Sequence, residues 1–319
     1  MSSAPVLRAI VRQFGSAAQC VEAEHTHPPV AGPGEVVVQM KLAAINPSDL
    51  ITISGAYPTR TRLPFVPGFE GVGTLKNGSR VLPIGSAGAW QQLKLSDAAW
   101  CFPLPAWLTD EQAATSYVNP MTAWLMLTDA LHLPAGARVV INAANSAIGR
   151  ILLNMAQQRG LDAVAIVRRQ QAAETLDTAY PIAIMAHAGD ALAVQQLRAS
   201  GGVDAVLDCI GGQGALTLAQ ALKPGAAFIS YGLLSGEAIP AALWRQRPDI
   251  AFRYFHLRQW VHQASRAQIA SKLDEVFALI RSGIATTTIA ALFPLAEISD
   301  ALHFCQQQRP AGKVLIHCG

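Results

Sequence analysis

Arg138-Val-Val-Ile-Asn-Ala-Ala-Asn-Ser-Ala-Ile-Gly149 is the stretch that decides the fold of this chain. It begins with apolar residues, continues into a turn of small residues and ends where a helical pattern starts. That order predicts a buried strand, a tight turn and a helix, as in a dinucleotide-binding βαβ unit. Only Gly149 matches the glycine-rich fingerprint, although Ala143, Ala144 and Ser146 are small enough for backbone amides to approach a pyrophosphate. An ordinary strand–helix turn is the alternative interpretation.

The second strand of this unit is predicted at Ala163-Val-Ala-Ile-Val167, and Arg168 and Arg169 follow it directly. An acidic side chain at this point would bond the adenosine ribose of NAD, whereas an arginine neutralises the 2′-phosphate of NADP. A solvated strand end without a ligand is the alternative. The arginine pair predicts NADPH as the cofactor.

Length and composition favour about two domains with large apolar cores, since the 319 residues are 51% hydrophobic and only 14% charged. No apolar run reaches the length of about 18 residues that a membrane span needs, and the N-terminus lacks the pattern of a secretory signal. The net charge of +3 is too small to indicate a nucleic acid partner. Five cysteines without metal-like spacing fit reduced thiols, so we expect a cytoplasmic protein.

The first ~115 residues have the pattern of a compact, barrel-like β domain. Strands are predicted at 34–41, 71–75 and 79–82, with an Asn77-Gly78 turn between the last two. From about Asn119 the pattern changes to alternating helices and strands, which predicts a doubly wound parallel sheet. The fold class is therefore α/β. We expect the β-rich domain at 1–117, the parallel-sheet domain at 118–260 and a return to the β-rich domain at 261–319.

The elements of the alternating region can be assigned approximately. We expect a helix at Thr122–Leu131, strands near 138–142, 163–167, 203–208 and 226–230, helix ends at 197–204 and 222–225, a final strand at 251–257, an amphipathic helix at Ser265–Ser282, and a strand at Lys313–His317 that returns to the first domain.

Taken together, several motifs resemble the medium-chain dehydrogenase/reductase superfamily, in particular its zinc-independent mitochondrial-type 2-enoyl thioester reductases and quinone oxidoreductases. The matching stretches are 44–49, 55–57, 63–73, 118–124, 141–149, 207–212 and 230–232. The resemblance implies a GroES-like catalytic domain interrupted by a Rossmann domain, with the cofactor in a cleft between them. It also implies a homodimer formed through the edge strands of the Rossmann sheets.

The resemblance can be tested against the zinc ligands of the superfamily's alcohol dehydrogenases. Their cysteine ligand precedes an aspartate, but the corresponding stretch here is Asn46-Pro-Ser-Asp49. Their glycine–histidine–glutamate motif is Gly68-Phe-Glu70, and their third ligand falls near Asn119. Because zinc needs thiolate or imidazole ligands in a tetrahedral array, we expect no metal.

Tyr57 is the candidate proton donor that the resemblance implies. Enoyl reduction needs a hydride at Cβ and a proton at Cα, and the enoyl thioester reductases assign the proton to a tyrosine in a G-x-Y element. A phenol is a plausible acid toward a developing enolate and can also bond the thioester oxygen. Packing beneath a Tyr57-Pro58 turn is the alternative. The resemblance implies that Asn119 contacts the nicotinamide and positions the tyrosine; capping a helix ahead of Pro120 is the alternative interpretation, and it does not exclude that role.

The cofactor positions that the resemblance implies extend over most of the second domain. They are Asn119; Asn145, Ser146, Ala147 and Ile148 at the phosphates; Arg168, Arg169 and Gln170 at the adenosine phosphate; Tyr231, Gly232, Leu233 and Leu234 beside the ribose and nicotinamide; Phe255, His256, Leu257 and Arg258 over the nicotinamide; and Lys313 from the tail. The family often has glycine at Ala147 and Leu233 and tryptophan at His256. A partly exposed edge-strand histidine is the alternative interpretation of His256.

The predicted function is NADPH-dependent reduction of an activated C=C bond, with a 2-enoyl thioester as the substrate. Quinone reduction is the nearest alternative, since it needs hydride transfer but not Tyr57. A non-catalytic NADPH-binding sensor or structural relative is the third. Acyl length, the choice between CoA and acyl-carrier protein, and the physiological substrate are left open by the sequence.

Overall fold

The structure is a computed structural model that describes residues 4–56, 59–176, 180–185, 190–308 and 310–319. Its strands are β1 (Val6–Val11), β2 (Val21–Thr26), β3 (Glu35–Ala44), β4 (Gly71–Thr74), β5 (Arg80–Pro83), β6 (Leu93–Asp97), β7 (Cys101–Pro103), β8 (Arg138–Asn142), β9 (Asp162–Val167), β10 (Ile182–Ile184), β11 (Val203–Asp208), β12 (Leu222–Ser230), β13 (Ala251–Tyr254), β14 (Ile289–Pro294) and β15 (Lys313–His317).

The α-helices are α1 (Ala17–Cys20), α2 (Pro47–Ile53), α3 (Asp110–Ala114), α4 (Val118–Leu125), α5 (Ala147–Gln158), α6 (Gln170–Ala173), α7 (Leu192–Ala199), α8 (Gly212–Ala219), α9 (Ala242–Gln246), α10 (Leu257–Gln263), α11 (Arg266–Arg281) and α12 (Ile298–Gln308). Short 3₁₀ turns occur at Ala98–Trp100 and Leu295–Glu297, and a π-helical turn at Met126–Ala130. Among the described residues, no helix is long and apolar enough to cross a bilayer.

The chain divides into two compact units. The first unit comprises Met1–Met121 and Arg258–Gly319, and the second comprises Thr122–Leu257. The predicted domain boundaries at 117/118 and 260/261 lie a few residues away from these positions.

The first unit is built around β3, which pairs antiparallel with β15, β4 and β6 in a mixed sheet. The predicted Asn77-Gly78 turn joins β4 to β5, and Gly78 has a φ of +83° that favours glycine. Buried apolar side chains such as Val38, Met40 and Trp90 fill the core beneath the sheet. The predicted return of the tail is confirmed, because Leu315 of β15 lies opposite Ala44 of β3.

The second unit contains the predicted doubly wound parallel sheet. In its described residues the strand order is β10-β9-β8-β11-β12-β13, and every neighbouring pair is parallel. The chain winds outward from β8 in one direction and then from β11 in the other. In sheets of this kind ligands bind beyond the carboxyl ends of the strands, where the winding direction reverses.

Some predicted elements differ from the structure. Leu222–Gly225 is not a helix end, because α8 ends at Ala219 and β12 begins at Leu222 with an irregularity in its pairing to β11. The proline and glycine that suggested a helix stop lie at this strand irregularity instead. The final strand was predicted at 251–257 but ends at Tyr254, and α10 begins at Leu257. A short, largely apolar stretch does not show where a strand gives way to a helix.

The predicted helix at Thr122–Leu131 also begins and ends differently. It starts at Val118 and passes into the π-helical turn after Leu125. The earlier start has a tertiary cause, since the Glu70 carboxylate accepts the backbone N–H groups of Tyr117 and Val118. By contrast, the amphipathic helix between Ser265 and Ser282 is confirmed, with those two residues as its caps.

Candidate functional site

The turn that follows β8 has the close packing predicted for a dinucleotide-binding unit. A Cβ at Gly149 would lie 2.6 Å from the carbonyl oxygens of Ala143 and Ala144, so only glycine fits between helix and turn. Ser146 caps α5, with its Oγ accepting the Gly149 N–H at 3.1 Å. Ala143 has a φ of +45°, a left-handed conformation that turns the chain sharply, and the Ser146 N–H donates back to the Ala143 carbonyl at 2.8 Å. The geometry fits a pyrophosphate at the N-terminus of α5.

A strand-end network of hydrogen bonds lies beneath this turn; it comprises Asn142, Asp208 and the backbone amides of Cys209, Ile210 and Gly211. The Asn142 Nδ2 donates to the Asp208 carboxylate at 2.5 Å, and its Oδ1 accepts the Cys209 N–H at 2.9 Å. The same carboxylate accepts the N–H groups of Ile210 and Gly211 at 3.2 and 3.1 Å. Burial raises the pKa of Asp208, and these donors oppose the shift. Polar residues at the ends of two predicted buried strands were the signal that could have identified the network.

The residues predicted to contact the phosphates lie at the same edge of the sheet. Asn145 is exposed in the turn, and Ser146, Ala147 and Ile148 are half-buried at the start of α5. Arg168, Arg169 and Gln170 are exposed between β9 and α6. Within the described residues neither arginine side chain forms a hydrogen bond or ion pair, so both guanidinium groups can accept an anionic ligand.

Sequence reasoning missed Arg150, which joins the phosphate turn to the segment after α6. Its Nε donates to the Asn145 carbonyl at 3.3 Å, and its other nitrogens donate to the carbonyl and hydroxyl of Thr175 at 2.6 and 2.8 Å. A basic residue in the first turn of a predicted cofactor helix was the signal available.

The segment after β12 packs tightly against the end of β11. The Tyr231 N–H donates to the Asp208 carbonyl at 2.8 Å, and the Leu234 N–H donates to the Cys209 carbonyl at 2.9 Å. A Cβ at Gly232 would lie 2.7 Å from the Cys209 carbonyl oxygen. Tyr231, Gly232 and Leu233 are half-buried and Leu234 is exposed, so this segment forms part of the same carboxyl edge.

The predicted nicotinamide residues at 255–258 extend from the end of β13 into the first turn of α10. Phe255 donates its N–H to the Ser230 carbonyl at 2.8 Å, and Leu257 and Arg258 begin α10. His256 is exposed, and its ring lies nearly parallel to Tyr254 at a centroid distance of 6.3 Å.

Tyr57 lies outside the described residues, as does Pro58. Asn119 is buried in the first turn of α4, which begins at Val118, so Asn119 does not cap the helix. Thr122, one turn further along α4, is also buried.

The first unit contains a second polar network, the Asn46 cluster, formed by Asn46, Asp49, Glu70 and Lys313. All four side chains are buried. The Asn46 Nδ2 donates to Glu70 at 3.1 Å, and the Lys313 ammonium donates to the Asn46 Oδ1. Asp49 accepts the N–H groups of Asn46 and Phe69 at 2.8 and 3.0 Å. Burial raises the pKa of Asp49 to about 7, raises that of Glu70 and lowers that of Lys313.

Asn46 of this cluster and the neighbouring Phe69 lie in the two stretches where the resemblance places zinc ligands, and neither residue fits zinc. Both ends of the Asn46 amide are hydrogen-bonded, and the Phe69 side chain has no atom that can ligate a metal. The nearby ammonium of Lys313 would also repel a second cation. Among the described residues, no group of three or more His, Cys, Asp or Glu side chains could hold a metal ion. The buried Ser48 hydroxyl, which sequence reasoning also missed, has no hydrogen-bond partner in the part of the chain described.

Comparison with known proteins gives the family of this chain. Residues 32–106 match the alcohol dehydrogenase GroES-like domain, and residues 179–316 match the zinc-binding dehydrogenase family. The mitochondrial enoyl-[acyl-carrier-protein] reductase of Caenorhabditis elegans is 31% identical over 282 residues, which cover 80% of this chain and 81% of the relative.

Solved structures share the fold over nearly the whole chain. A crystal structure from Bacillus thuringiensis, described as that of an NADPH:quinone reductase, has a TM-score of 0.91 and 30% identity, with 99% of each chain covered. The Escherichia coli quinone oxidoreductase, solved in complex with NADPH, has a TM-score of 0.88 at 22% identity, covering 98% of this chain and 99% of that one. With the GroES-like β domain, the Rossmann sheet and relatives of this identity over most of its length, the chain is an oxidoreductase of the medium-chain dehydrogenase/reductase superfamily, related to its enoyl thioester reductases and quinone oxidoreductases.

Proposed function

We propose that this oxidoreductase uses NADPH to reduce an activated C=C bond and that its substrate is a 2-enoyl thioester. The observation that carries the proposal is the 31% identity to an enoyl-[acyl-carrier-protein] reductase over four fifths of both chains. Bound NADPH would supply the hydride that is transferred to the substrate Cβ.

The proposal of NADPH rests on the second unit. The turn around Gly149 fits a pyrophosphate, and Arg168 and Arg169 present two exposed guanidinium groups at the end of β9. A charge-assisted contact from either arginine to a 2′-phosphate would favour NADPH over NADH. Asn119 and the residues at 145–148, 168–170, 231–234, 255–258 and 313 are proposed to hold the cofactor.

In the proposed reaction Tyr57 protonates the substrate Cα and bonds the thioester oxygen, while Asn119 holds the reacting groups in position. No metal is needed, because the developing enolate is stabilised by these donors. Purified protein should therefore contain substoichiometric zinc, and chelators should leave turnover intact. One tightly bound zinc per chain would refute this part of the proposal.

Quinone reduction is the second candidate, and the relative from Bacillus thuringiensis favours it at 30% identity. The two functions differ in the need for a proton donor at Cα. The test follows NADPH absorbance with crotonyl-CoA, with quinones and with simple enones. Turnover of crotonyl-CoA supports the proposal, whereas turnover of quinones alone supports the second candidate. If NADPH binds but no acceptor is reduced, the chain is a non-catalytic binding protein.

We also propose that the chain acts as a cytoplasmic homodimer joined through β13. This edge strand of the described sheet carries Tyr254, which is 55% exposed, and Trp244 of α9, which is 43% exposed, packs edge-on against Phe252 of the same strand. Exposed aromatic residues on an unpaired strand edge are typical of an interface. Tyr254→Lys should convert a dimer into a monomer in light scattering, and a monomeric wild type would refute the assembly. Fluorescence imaging of a tagged chain tests the proposed cytoplasmic location.

A further inference from the structure

We propose that Glu70 is a positioning residue that fixes the start of α4, and with it Asn119, and that Asn46 and Lys313 form one charge-balanced unit with it. The inference deepens the proposed function and rests on it for the role of Asn119. Its structural part can be tested without any measurement of activity.

Glu70 accepts hydrogen bonds at the start of α4. The Glu70 Oε1 accepts two consecutive backbone amides, from Tyr117 at 2.6 Å and from Val118 at 2.8 Å. The first N–H groups of a helix have no partner within the helix, and a negative charge is favourable there. A buried carboxylate from a distant part of the chain therefore determines where α4 begins. Asn119 follows immediately, so its backbone position depends on this contact.

The Asn46 amide is held in one orientation by its two partners. Its Nδ2 faces the Glu70 Oε2 at 3.1 Å, while its Oδ1 accepts the Lys313 ammonium. The two ends of the amide thus distinguish a carboxylate on one side from a cation on the other. Replacing Glu70 by glutamine would bring the new side-chain amide nitrogen against the Asn46 Nδ2, and flipping Asn46 would bring its Nδ2 against Lys313. Either arrangement leaves two donors facing each other.

The Asn46 cluster also contains opposite charges. Two carboxylates, Asp49 and Glu70, and one ammonium, Lys313, are buried together, and each attracts or repels the others electrostatically. Removing one charge from such a group leaves its partner buried and uncompensated, whereas removing an opposite pair leaves less imbalance. The double variant E70Q/K313M removes one such pair. It also lets Asn46 flip without placing its Nδ2 against a cation, because the glutamine introduced by E70Q can then donate to the Asn46 oxygen.

The test measures amide hydrogen exchange at Tyr117 and Val118 by mass spectrometry with fragmentation. We expect E70Q to accelerate exchange of both amides at least tenfold, and E70Q/K313M to recover most of the protection. The Val38 amide in β3 is the internal reference, and E35Q, which changes an exposed carboxylate, is the matched control. Unchanged exchange at Tyr117 and Val118 in E70Q would overturn the inference. So would equal acceleration at Val38, because Glu70 would then act only through general stability.

Kinetics provide the second readout. With crotonyl-CoA, E70Q should lower kcat about tenfold or more while the Kd for NADPH, measured by fluorescence, stays within twofold. A loss confined to NADPH affinity would contradict positioning of Asn119. If the wild type reduces no acceptor, the proposed function fails, while the exchange data still decide whether Glu70 fixes the start of α4.

Discussion

The two buried polar networks of this chain solve the same problem in different ways. In the Asn46 cluster of the first unit, the Glu70 carboxylate is paired with the ammonium of Lys313 through the amide of Asn46. In the strand-end network of the second unit, the Asp208 carboxylate is satisfied by amide donors from Asn142, Ile210 and Gly211. The first should respond to any change of charge, and the second to any loss of a hydrogen-bond acceptor.

The difference extends to function. In the proposed enzyme the first unit carries the residues of proton transfer, and the second unit carries the phosphate-binding turn. Variants of the first unit should therefore lower kcat, and variants of the second unit should lower cofactor affinity or stability. The following predictions test that division, beginning with the largest expected effect.

Tyr57→Phe should lower kcat on an enoyl thioester by about 10²- to 10⁴-fold, because general-acid catalysis contributes effects of that size. NADPH affinity should change little, and quinone reduction should decline less. Steady-state kinetics with both acceptors, and a fluorescence titration of NADPH, make the comparison. Equal losses with both acceptors would indicate a general pocket defect instead.

Asp208→Leu should lower the free energy of unfolding by at least about 3 kcal/mol, since three buried donors lose their acceptor at about 1–3 kcal/mol each. Asp208→Asn, which keeps one acceptor oxygen, should lose less. Chemical denaturation followed by circular dichroism measures both, with Asp274→Asn on the exposed face of α11 as the control. If the leucine variant is as stable as the control, the strand-end network contributes nothing to the fold.

Arg168→Ala should weaken NADPH binding about 10- to 150-fold, because one charge-assisted phosphate contact contributes about 1.5–3 kcal/mol. NADH affinity should be unaffected, so the preference between the cofactors should narrow. Arg198→Ala changes another exposed arginine of the second unit and serves as the control. An unchanged NADPH affinity in the Arg168 variant would remove the argument for the 2′-phosphate.

Lys94 is a buried charge outside both networks, and its effect on stability should depend on pH. Its ammonium is buried, donates to the carbonyls of Pro83 and Ser86 at 3.1 and 2.9 Å, and has a pKa lowered by burial to about 8. Cys101 is the charged or titratable group that faces it. Since the folded state releases this proton at lower pH than the unfolded state, the contribution of Lys94 to stability rises with pH between about 8 and 10.5.

Compared with Lys94→Met, the wild type should therefore gain about 2 kcal/mol of unfolding free energy between pH 7.5 and 9.5. Taking the difference between the two proteins removes the contributions of titrating groups that do not interact with Lys94; Cys101 interacts with it, so the comparison is repeated in a Cys101→Ala background. Denaturation curves at both pH values measure it. A difference that stays constant with pH would mean that Lys94 keeps its ordinary pKa.

The elements around the strand-end network could be predicted from the sequence, whereas the Asn46 cluster could not. Apolar runs predicted the strands that end at Asn142 and Asp208, and the strand–turn–helix pattern predicted the close packing at Gly149. All three predictions depend on residues that are neighbours in the sequence. The Asn46 cluster instead joins side chains that lie 24 and 267 residues apart, and no local pattern encodes such pairs. The start of α4 was misjudged for the same reason, since a distant carboxylate determines it.

The position of β15 in the sheet has a consequence for biosynthesis. β15 carries Lys313 and lies between β14 and β3, so the first unit lacks an internal strand until Lys313–His317 has been translated. The second unit is continuous from Thr122 to Leu257 and has all its described strands before that point. Since domains tend to fold as units during synthesis, the middle of this chain can reach its native structure on the ribosome before the beginning does.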